Sequence, residues 1–114
     1  MRSDRLRLQD ILDAIAVIEQ YLPADREAFD RDPPVQSHVY RHLMIVGEAA
    51  WTLSDQLKKQ NPQVSWRQIE GMRHIMVHDY FKVNWTRIYE TARDHVPALK
   101  PQVVAILSSL PPDP

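Results

Sequence analysis

Apolar side chains recur every three or four residues through most of this chain, which is the spacing of one face of an α-helix. Nine prolines and a few capping residues divide the pattern into separate segments. Apolar and polar residues do not alternate over more than a few positions, so the pattern indicates no β-strand. The sequence therefore predicts an all-α protein, folded as an antiparallel bundle of four to five helices.

The first predicted helix begins at Ser3 or Asp4, either of which can cap it, and ends near Leu22 because Pro23 follows. Residues 24–32 are interpreted as a turn or a short helix. The apolar face that we expect to be buried consists of Leu8, Ile11, Leu12, Ile15, Ile18 and Leu22.

A second, long helix is predicted from about Pro34 to Lys59. Its apolar positions alternate in steps of four and three, and we call them the Val39–Leu57 stripe: Val39, Leu43, Val46, Ala50, Leu53 and Leu57. Such a stripe forms a narrow seam against a neighbour, either within the subunit or across a dimer. Gly47 costs about 1 kcal/mol relative to alanine in a helix interior, but it suits a close approach of another helix.

Three further helices are predicted in the C-terminal half. Ser65–Gln68 has the pattern of a capping box, with serine at the cap and glutamine three residues later. Asn84 can cap a fourth helix, and Pro97 suits the first turn of a fifth. Pro101 has no N–H to donate, so the fifth helix either begins near Leu99 or lacks one hydrogen bond. The apolar residues expected to face inward are Ile69, Met72, Ile75, Met76, Trp85, Ile88, Tyr89, Ala92, Leu99, Val103, Ile106 and Leu110.

Size and composition narrow the class of protein. A chain of 114 residues that is 44% hydrophobic is expected to form one folded domain, residues 1–114, with about 111–114 as a proline-rich tail. The absence of cysteine excludes disulfides, thiol catalysis and cysteine-based metal sites, and it suits a reducing compartment. No apolar run is long enough to span a membrane, and no signal-peptide core is present. We therefore expect a cytoplasmic protein without a membrane partner.

The charge of the chain is unevenly distributed. The net charge of −1 argues against indiscriminate binding of nucleic acid. Residues 1–57 carry six Lys or Arg against ten Asp or Glu, whereas residues 58–100 carry eight against four. The basic half is either ordinary solvated helix surface or the region that meets an anionic ligand.

Candidate chemistry is concentrated in an Arg-x4-His-x-Tyr sequence formed by Arg73, His78 and Tyr80. Arginine grips phosphate with a planar fork of donors, and histidine moves protons near neutral pH. On one continuous helix Arg73 and His78 would not share a face, but they can converge on a ligand if the helix frays near His78–Tyr80 or if a second copy faces the first. The alternative makes Arg73 a surface cation, His78 a helix C-terminal cap and Tyr80 a packed aromatic.

Two other groups of residues have possible roles. Glu48, in the middle of the long helix, either points to water or pairs with Arg73 and thereby orients its fork. The pairs His38/His42 and His74/His78 have the i, i+4 spacing of half a zinc or nickel site. Packing or contact with a ligand is the alternative role for these histidines, and we expect neither a metal nor another cofactor.

Over nearly its whole length the chain resembles the HepT-like branch of the HEPN superfamily, a group of bacterial and archaeal toxins. The segments that carry the resemblance are Val46–Ala49, Asn61–Pro62, Ser65–Trp66, Ile69–Arg73, Val77–Phe81 and Asp94–Leu99. One position departs from the usual pattern, because His74 stands where asparagine often follows the arginine in this branch. His74 is therefore a candidate substrate contact with an open role.

The resemblance implies a HEPN-like helical domain that forms a homodimer, in which two copies of the motif share one cleft. It implies a metal-independent endoribonuclease toxin with Arg73 and His78 as catalytic residues and RNA as substrate. It also implies a cognate minimal nucleotidyltransferase as the antitoxin, which would inactivate the toxin by AMPylation of Tyr80. The alternative function is a non-catalytic module that binds a nucleotide or RNA, or that serves as a scaffold for the nucleotidyltransferase.

Overall fold

The computed structural model describes residues 2–77 and 83–114, with only the backbone described for residues 74–77. The described chain is helical and contains no β-strand, which confirms the predicted all-α bundle. Its α-helices are α1 (Asp4–Tyr21), α2 (Arg26–Asp30), α3 (Pro33–Thr52), α4 (Asp55–Gln60), α5 (Trp66–Val77), α6 (Trp85–Glu90) and α7 (Val96–Ser109). In these two ranges, no helix is both long and apolar enough to cross a membrane.

Side-chain caps explain where several helices begin. The Ser3 hydroxyl accepts a hydrogen bond from the Leu6 N–H and starts α1, as the sequence predicts. The Asn84 side chain accepts from the Arg87 N–H at 3.1 Å and starts α6, again as predicted. Residues 24–32 contain the short helix α2, which satisfies one of the two interpretations of that segment.

The core forms where α1, α3, α5 and α7 pack against one another. The predicted apolar faces of α1 and α7 point into it, with Ile11, Ile15 and Val103 fully buried. Every residue of the Val39–Leu57 stripe is at most 3% exposed. The stripe therefore packs within the subunit, and it is not the surface on which a dimer would form.

The predicted second helix, Pro34 to Lys59, is wrong in its C-terminal part, because the chain breaks between α3 and α4. At the break, the Ser54 N–H and hydroxyl both donate to the Asp4 carboxylate, at 2.9 and 2.5 Å. The same hydroxyl accepts from the Leu57 N–H and caps α4. Leu53 and Leu57 are buried on the two sides of the break, so the apolar spacing continues across it.

The predicted fourth and fifth helices are not separate. A π-helical turn, Thr91–His95, joins α6 to α7, and the Val96 N–H donates to the Thr91 carbonyl five residues earlier. Pro97 follows at once, and its ring would collide with the carbonyl four residues before it in a regular α-helix; a wider turn relieves that collision. Pro101 lies inside α7, so the helix lacks one backbone hydrogen bond there and does not begin at Leu99.

The helices α3 and α5 approach each other closely at Gly47. A Cβ atom added at Gly47 would lie 2.8 Å from the Arg73 backbone nitrogen and 3.2 Å from the Ile69 carbonyl oxygen. Both neighbours are backbone atoms of α5, which cannot rotate away as a flexible side chain can. Glycine is therefore required for this helix spacing, and the spacing fixes the position of the Arg73 Cα relative to α3.

We expect Gly47→Ala to lower the free energy of unfolding by about 1–2 kcal/mol, because the steric cost of the added methyl exceeds the gain in helix propensity. Gly71→Ala is the matched control, since a Cβ there meets nothing within 4 Å. That control should gain roughly 0.5–1 kcal/mol from helix propensity alone. Urea denaturation of both variants tests the pair, and an equal gain in stability for both would contradict the tight crossing.

Candidate functional site

Arg73 lies near the end of α5, and its side chain contacts two residues of α3. Its Nε donates to Glu48 Oε1 at 3.2 Å. Its guanidinium carbon lies 4.3 Å from the centroid of the Trp51 ring system. Glu48 and Trp51 are three residues apart on α3 and therefore share a face of that helix. We call these three residues the Arg73 cluster.

The Arg73 cluster orients the arginine more than it stabilises the fold. The side chain of Glu48 is 51% exposed and that of Arg73 is 24% exposed, and an ion pair of this kind contributes only about 0–1 kcal/mol. The cation–π contact adds about 0.5–1 kcal/mol at an exposed site. Two weak contacts in different directions nevertheless define the plane of the guanidinium.

The contact with Glu48 uses only the Nε of Arg73. Within the part of the chain that the structure describes, no acceptor binds the terminal Nη nitrogens. These nitrogens carry the pair of donors that suits two oxygens of one phosphate. As far as the described residues show, the cluster is therefore a preoriented cation whose bidentate edge has no acceptor.

The contact between Glu48 and Arg73 is the one that the sequence suggested, but sequence reasoning missed Trp51. Trp51 lies outside the Val39–Leu57 stripe, and it is 51% exposed although tryptophan is large and mostly apolar. A bulky aromatic residue on the polar side of an amphipathic helix, three positions after Glu48, was the signal that could have identified it.

A second ion pair supports the end of α3 on which Trp51 lies. The Lys58 ammonium pairs with the Glu70 carboxylate, and their side chains are only 16% and 15% exposed. Lys58 Nζ also donates to the Trp51 carbonyl oxygen at 3.2 Å. One ammonium group thus joins the last turn of α3 to α4 and α5 and fixes the backbone beneath the indole ring.

His38 and His42 lie together but apart from the Arg73 cluster. Their ring centroids are 4.5 Å apart, and His42 Nδ1 lies 2.8 Å from the His38 carbonyl oxygen. The Tyr21 ring packs edge-on against His38. Trp51 lies thirteen positions after His38 on α3, which is about 20 Å along the helix axis. Among the described residues no group of three His, Cys, Asp or Glu side chains could hold a metal ion.

The remaining predicted site residues cannot be placed. The side chain of His74 lies outside the described residues, although its backbone belongs to α5. His78 and Tyr80 lie outside them entirely. The roles of all three therefore stay predictions, and Arg73 and Glu48 are the predicted site residues that the structure brings together.

A groove of about 920 Å³ lies between α5 and the helices α6 and α7. Its lining includes Arg67, Gln68, Met72, Arg87, His95 and Leu99. None of the three residues of the Arg73 cluster lines it. The groove and the cluster are therefore separate features of the surface.

Comparison with known proteins supports the relationship that the sequence indicates. Residues 11–106 match the family described as "Ribonuclease HepT-like". "Putative RNase TTE0752" of Caldanaerobacter subterraneus subsp. tengcongensis is 35% identical over 94% of this chain and 96% of its own length. "Probable ribonuclease HepT" of Thermococcus cleftensis is 34% identical over 87% of this chain and 91% of its own length. "Putative RNase MJ1380" of Methanocaldococcus jannaschii is 31% identical over 90% and 94%.

No solved structure matches the chain at a significant level. The matched family nevertheless covers most of the chain, including α3, α5 and Arg73. The helical bundle, the resemblance carried by the sequence segments and the matched relatives agree with one another. This chain therefore belongs to the HepT-like family of the HEPN superfamily.

Proposed function

We propose that this protein is a metal-independent endoribonuclease that acts as the toxin of a toxin–antitoxin pair. The observation that carries the proposal is the Arg73 cluster, in which Glu48 and Trp51 orient a guanidinium whose terminal nitrogens bind no acceptor among the described residues. Membership of the HepT-like family supports the same activity, and so do the names of the relatives. RNA is the substrate in this proposal.

Cleavage proceeds by transphosphorylation. His78 accepts the proton of the ribose 2′-OH, the 2′-oxygen forms a bond to the adjacent phosphorus, and the bond from phosphorus to the 5′-oxygen breaks. A 2′,3′-cyclic phosphate and a free 5′-hydroxyl result. General base catalysis of this kind contributes about 10²–10⁴-fold. Arg73 stabilises the charge that grows on the non-bridging oxygens, Glu48 keeps its fork in position, and His74 contacts the substrate.

A homodimer completes the site in this proposal. Each subunit contributes Arg73 and His78 to a shared cleft, and the second His78 protonates the departing 5′-oxygen. Because the Val39–Leu57 stripe is buried inside the subunit, the dimer must use another surface.

The antitoxin is a minimal nucleotidyltransferase that transfers AMP to Tyr80. Tyr80 follows His78 by two residues, so the added phosphate brings a bulky anion close to the site where the RNA phosphate binds. Repulsion of like charges and steric occlusion then oppose substrate binding together.

We expect Arg73→Ala and His78→Ala to abolish RNA cleavage and toxicity without unfolding the protein, and Arg73→Lys to lose most activity because lysine lacks the fork. The control is Arg93→Ala, because Arg93 makes the same two kinds of contact: it pairs with the Asp94 carboxylate, and its guanidinium carbon lies 5.4 Å from the centroid of the Tyr89 ring. Cleavage is followed on gels.

We expect EDTA to have little effect on cleavage, because the proposed mechanism uses no metal ion. Loss of activity in EDTA and its return with zinc would contradict the metal-independent mechanism, and binding of RNA without cleavage would favour the alternative module.

The second prediction concerns the oligomeric state and the sharing of one active site by two subunits. Light scattering at micromolar concentration should give the mass of two chains. In a heterodimer of wild type with His78→Ala, isolated through two different tags, activity should fall far below half because base and acid come from different subunits. Half of the wild-type activity would mean two independent sites, and a monomeric mass would contradict the shared cleft.

The proposed antitoxin makes a third prediction. Tyr80→Phe has no hydroxyl to accept AMP, so it should stay toxic when the nucleotidyltransferase is co-expressed, while keeping most of its cleavage activity. Intact-mass measurement should show additions in steps of one AMP on the wild-type protein and none on this variant. The same additions on Tyr80→Phe would place the modification on another residue.

A further inference from the structure

The geometry points to Trp51 as a base-stacking residue that makes the proposed nuclease prefer single-stranded RNA. This inference rests on the proposed function and extends it to the class of substrate. We infer that a nucleobase next to the scissile phosphate packs on the indole while Arg73 holds the phosphate.

The first observation is the exposure of Trp51. It is 51% exposed, more than the other exposed large apolar residues in the described ranges, Leu6, Tyr21 and Val104, which are 43–44% exposed. An indole left half open to water gains free energy when another flat apolar surface covers it. Nucleobases offer such a surface, and aromatic platforms for them are common in proteins that bind single strands.

The second observation is the partner that already touches the ring. The Arg73 guanidinium carbon lies 4.3 Å from the ring centroid, so the candidate phosphate donor and the exposed aromatic surface are in contact. A nucleotide likewise carries a flat base and an anionic phosphate close together. One nucleotide can therefore satisfy both residues, the base against the indole and the phosphate against the Nη edge of Arg73.

The third observation is that Trp51 stands on a rigid support. It lies in the last turns of α3, and its carbonyl accepts from Lys58, which is itself paired with Glu70. The next residue, Thr52, accepts a hydrogen bond from Arg7 of α1 through its hydroxyl. The ring therefore projects from a fixed helix and not from a loop, which lowers the entropy lost when a base packs against it.

The surroundings of Trp51 favour RNA over a second copy of the chain as the group that covers it. The charged side chains of Glu48 and Arg73 lie beside the indole, and Glu48 is itself exposed. Glutamate is depleted at the centres of protein–protein interfaces, so the exposed Glu48 carboxylate disfavours a second copy at this position. The pair of Arg73 and Trp51 also matches the groups that bind a single strand, where stacking accompanies contact with the phosphate.

Stacking on Trp51 requires a base whose face is free. In a duplex both faces of each base are covered by its neighbours, whereas bases in single strands and loops can turn outward. Trp51 therefore favours single-stranded RNA over duplex RNA. It accepts any of the four bases, since every base has a flat face.

The test compares Trp51→Leu and Trp51→Phe with wild type on two RNAs that carry the same mapped cleavage site, one in a single strand and one in a hairpin stem. We expect Trp51→Leu to raise KM for the single strand about 10-fold and to change KM for the stem much less, whereas any fall in kcat from the loosened Arg73 should be equal on both RNAs. Trp51→Phe should keep most of the affinity. Tyr21→Leu is the control, because Tyr21 is an exposed aromatic residue at the end of α1 that packs against His38, and His38 lies about 20 Å from Trp51 along α3.

A substrate variant separates direct stacking from an effect through Arg73. Abasic nucleotides are placed on either side of the scissile phosphate, one at a time. At one of these positions, loss of the base should raise the KM of the wild-type enzyme about as much as the Trp51→Leu substitution does on the intact RNA. The same abasic position should not raise the KM of Trp51→Leu any further. Equal and additive losses at both positions would overturn the assignment of a stacked base.

Further outcomes count against the inference without touching the proposed function. An unchanged KM of Trp51→Leu for the single strand would overturn it. So would a fall in kcat on both RNAs with no change in KM, which would leave Trp51 with no role beyond positioning Arg73, or a monomeric mass of the variant, which would make it an interface residue. Failure of wild type to cleave any RNA would instead contradict the proposed function. Binding of a 2′-O-methyl single strand, measured by fluorescence anisotropy, would then still decide the stacking role, since weaker binding by Trp51→Leu supports it and equal binding overturns it.

Discussion

The close crossing of α3 and α5 at Gly47 is the constraint on which the candidate site depends. Because no Cβ separates the two backbones there, α5 lies against α3 with the Arg73 nitrogen directly over the glycine. From that position the Arg73 side chain reaches Glu48 and Trp51, which lie one and four residues after Gly47 on α3. A residue without a side chain thus determines where the Arg73 guanidinium points.

The sequence was sufficient for the features that follow directly from periodicity and capping. The burial of Ile11 and Val103, the start of α1 at Ser3 and the start of α6 at Asn84 all follow from local rules. The break at Ser54 did not, because Leu53 and Leu57 keep the helical spacing while a distant carboxylate, Asp4, binds the interrupted backbone.

In the candidate site, too, the sequence indicated one contact of Arg73 and not the other. Glu48 could be paired with Arg73 from the sequence, because a carboxylate beside an apolar seam needs a partner and the basic half offers one. Trp51 could not, because its role depends on the direction in which Arg73 leaves α5, and that direction is set by a tertiary contact at Gly47. Local patterns thus specify which residues are reactive, whereas helix crossings specify which of them meet.

The two ion pairs beside the end of α3 differ in their sensitivity to dissolved salt. The Lys58–Glu70 pair is mostly shielded from water, so mobile ions screen it little, and loss of either partner would leave a mostly buried charge without a counterion. The Arg73–Glu48 pair is open to solvent on the Glu48 side and lies within reach of counterions. Rising ionic strength therefore weakens the contact that holds the Arg73 guanidinium, while the Lys58–Glu70 pair keeps the helices beneath it in place. The surface proposed to bind an anion thus responds to salt at concentrations that leave the helix packing unchanged.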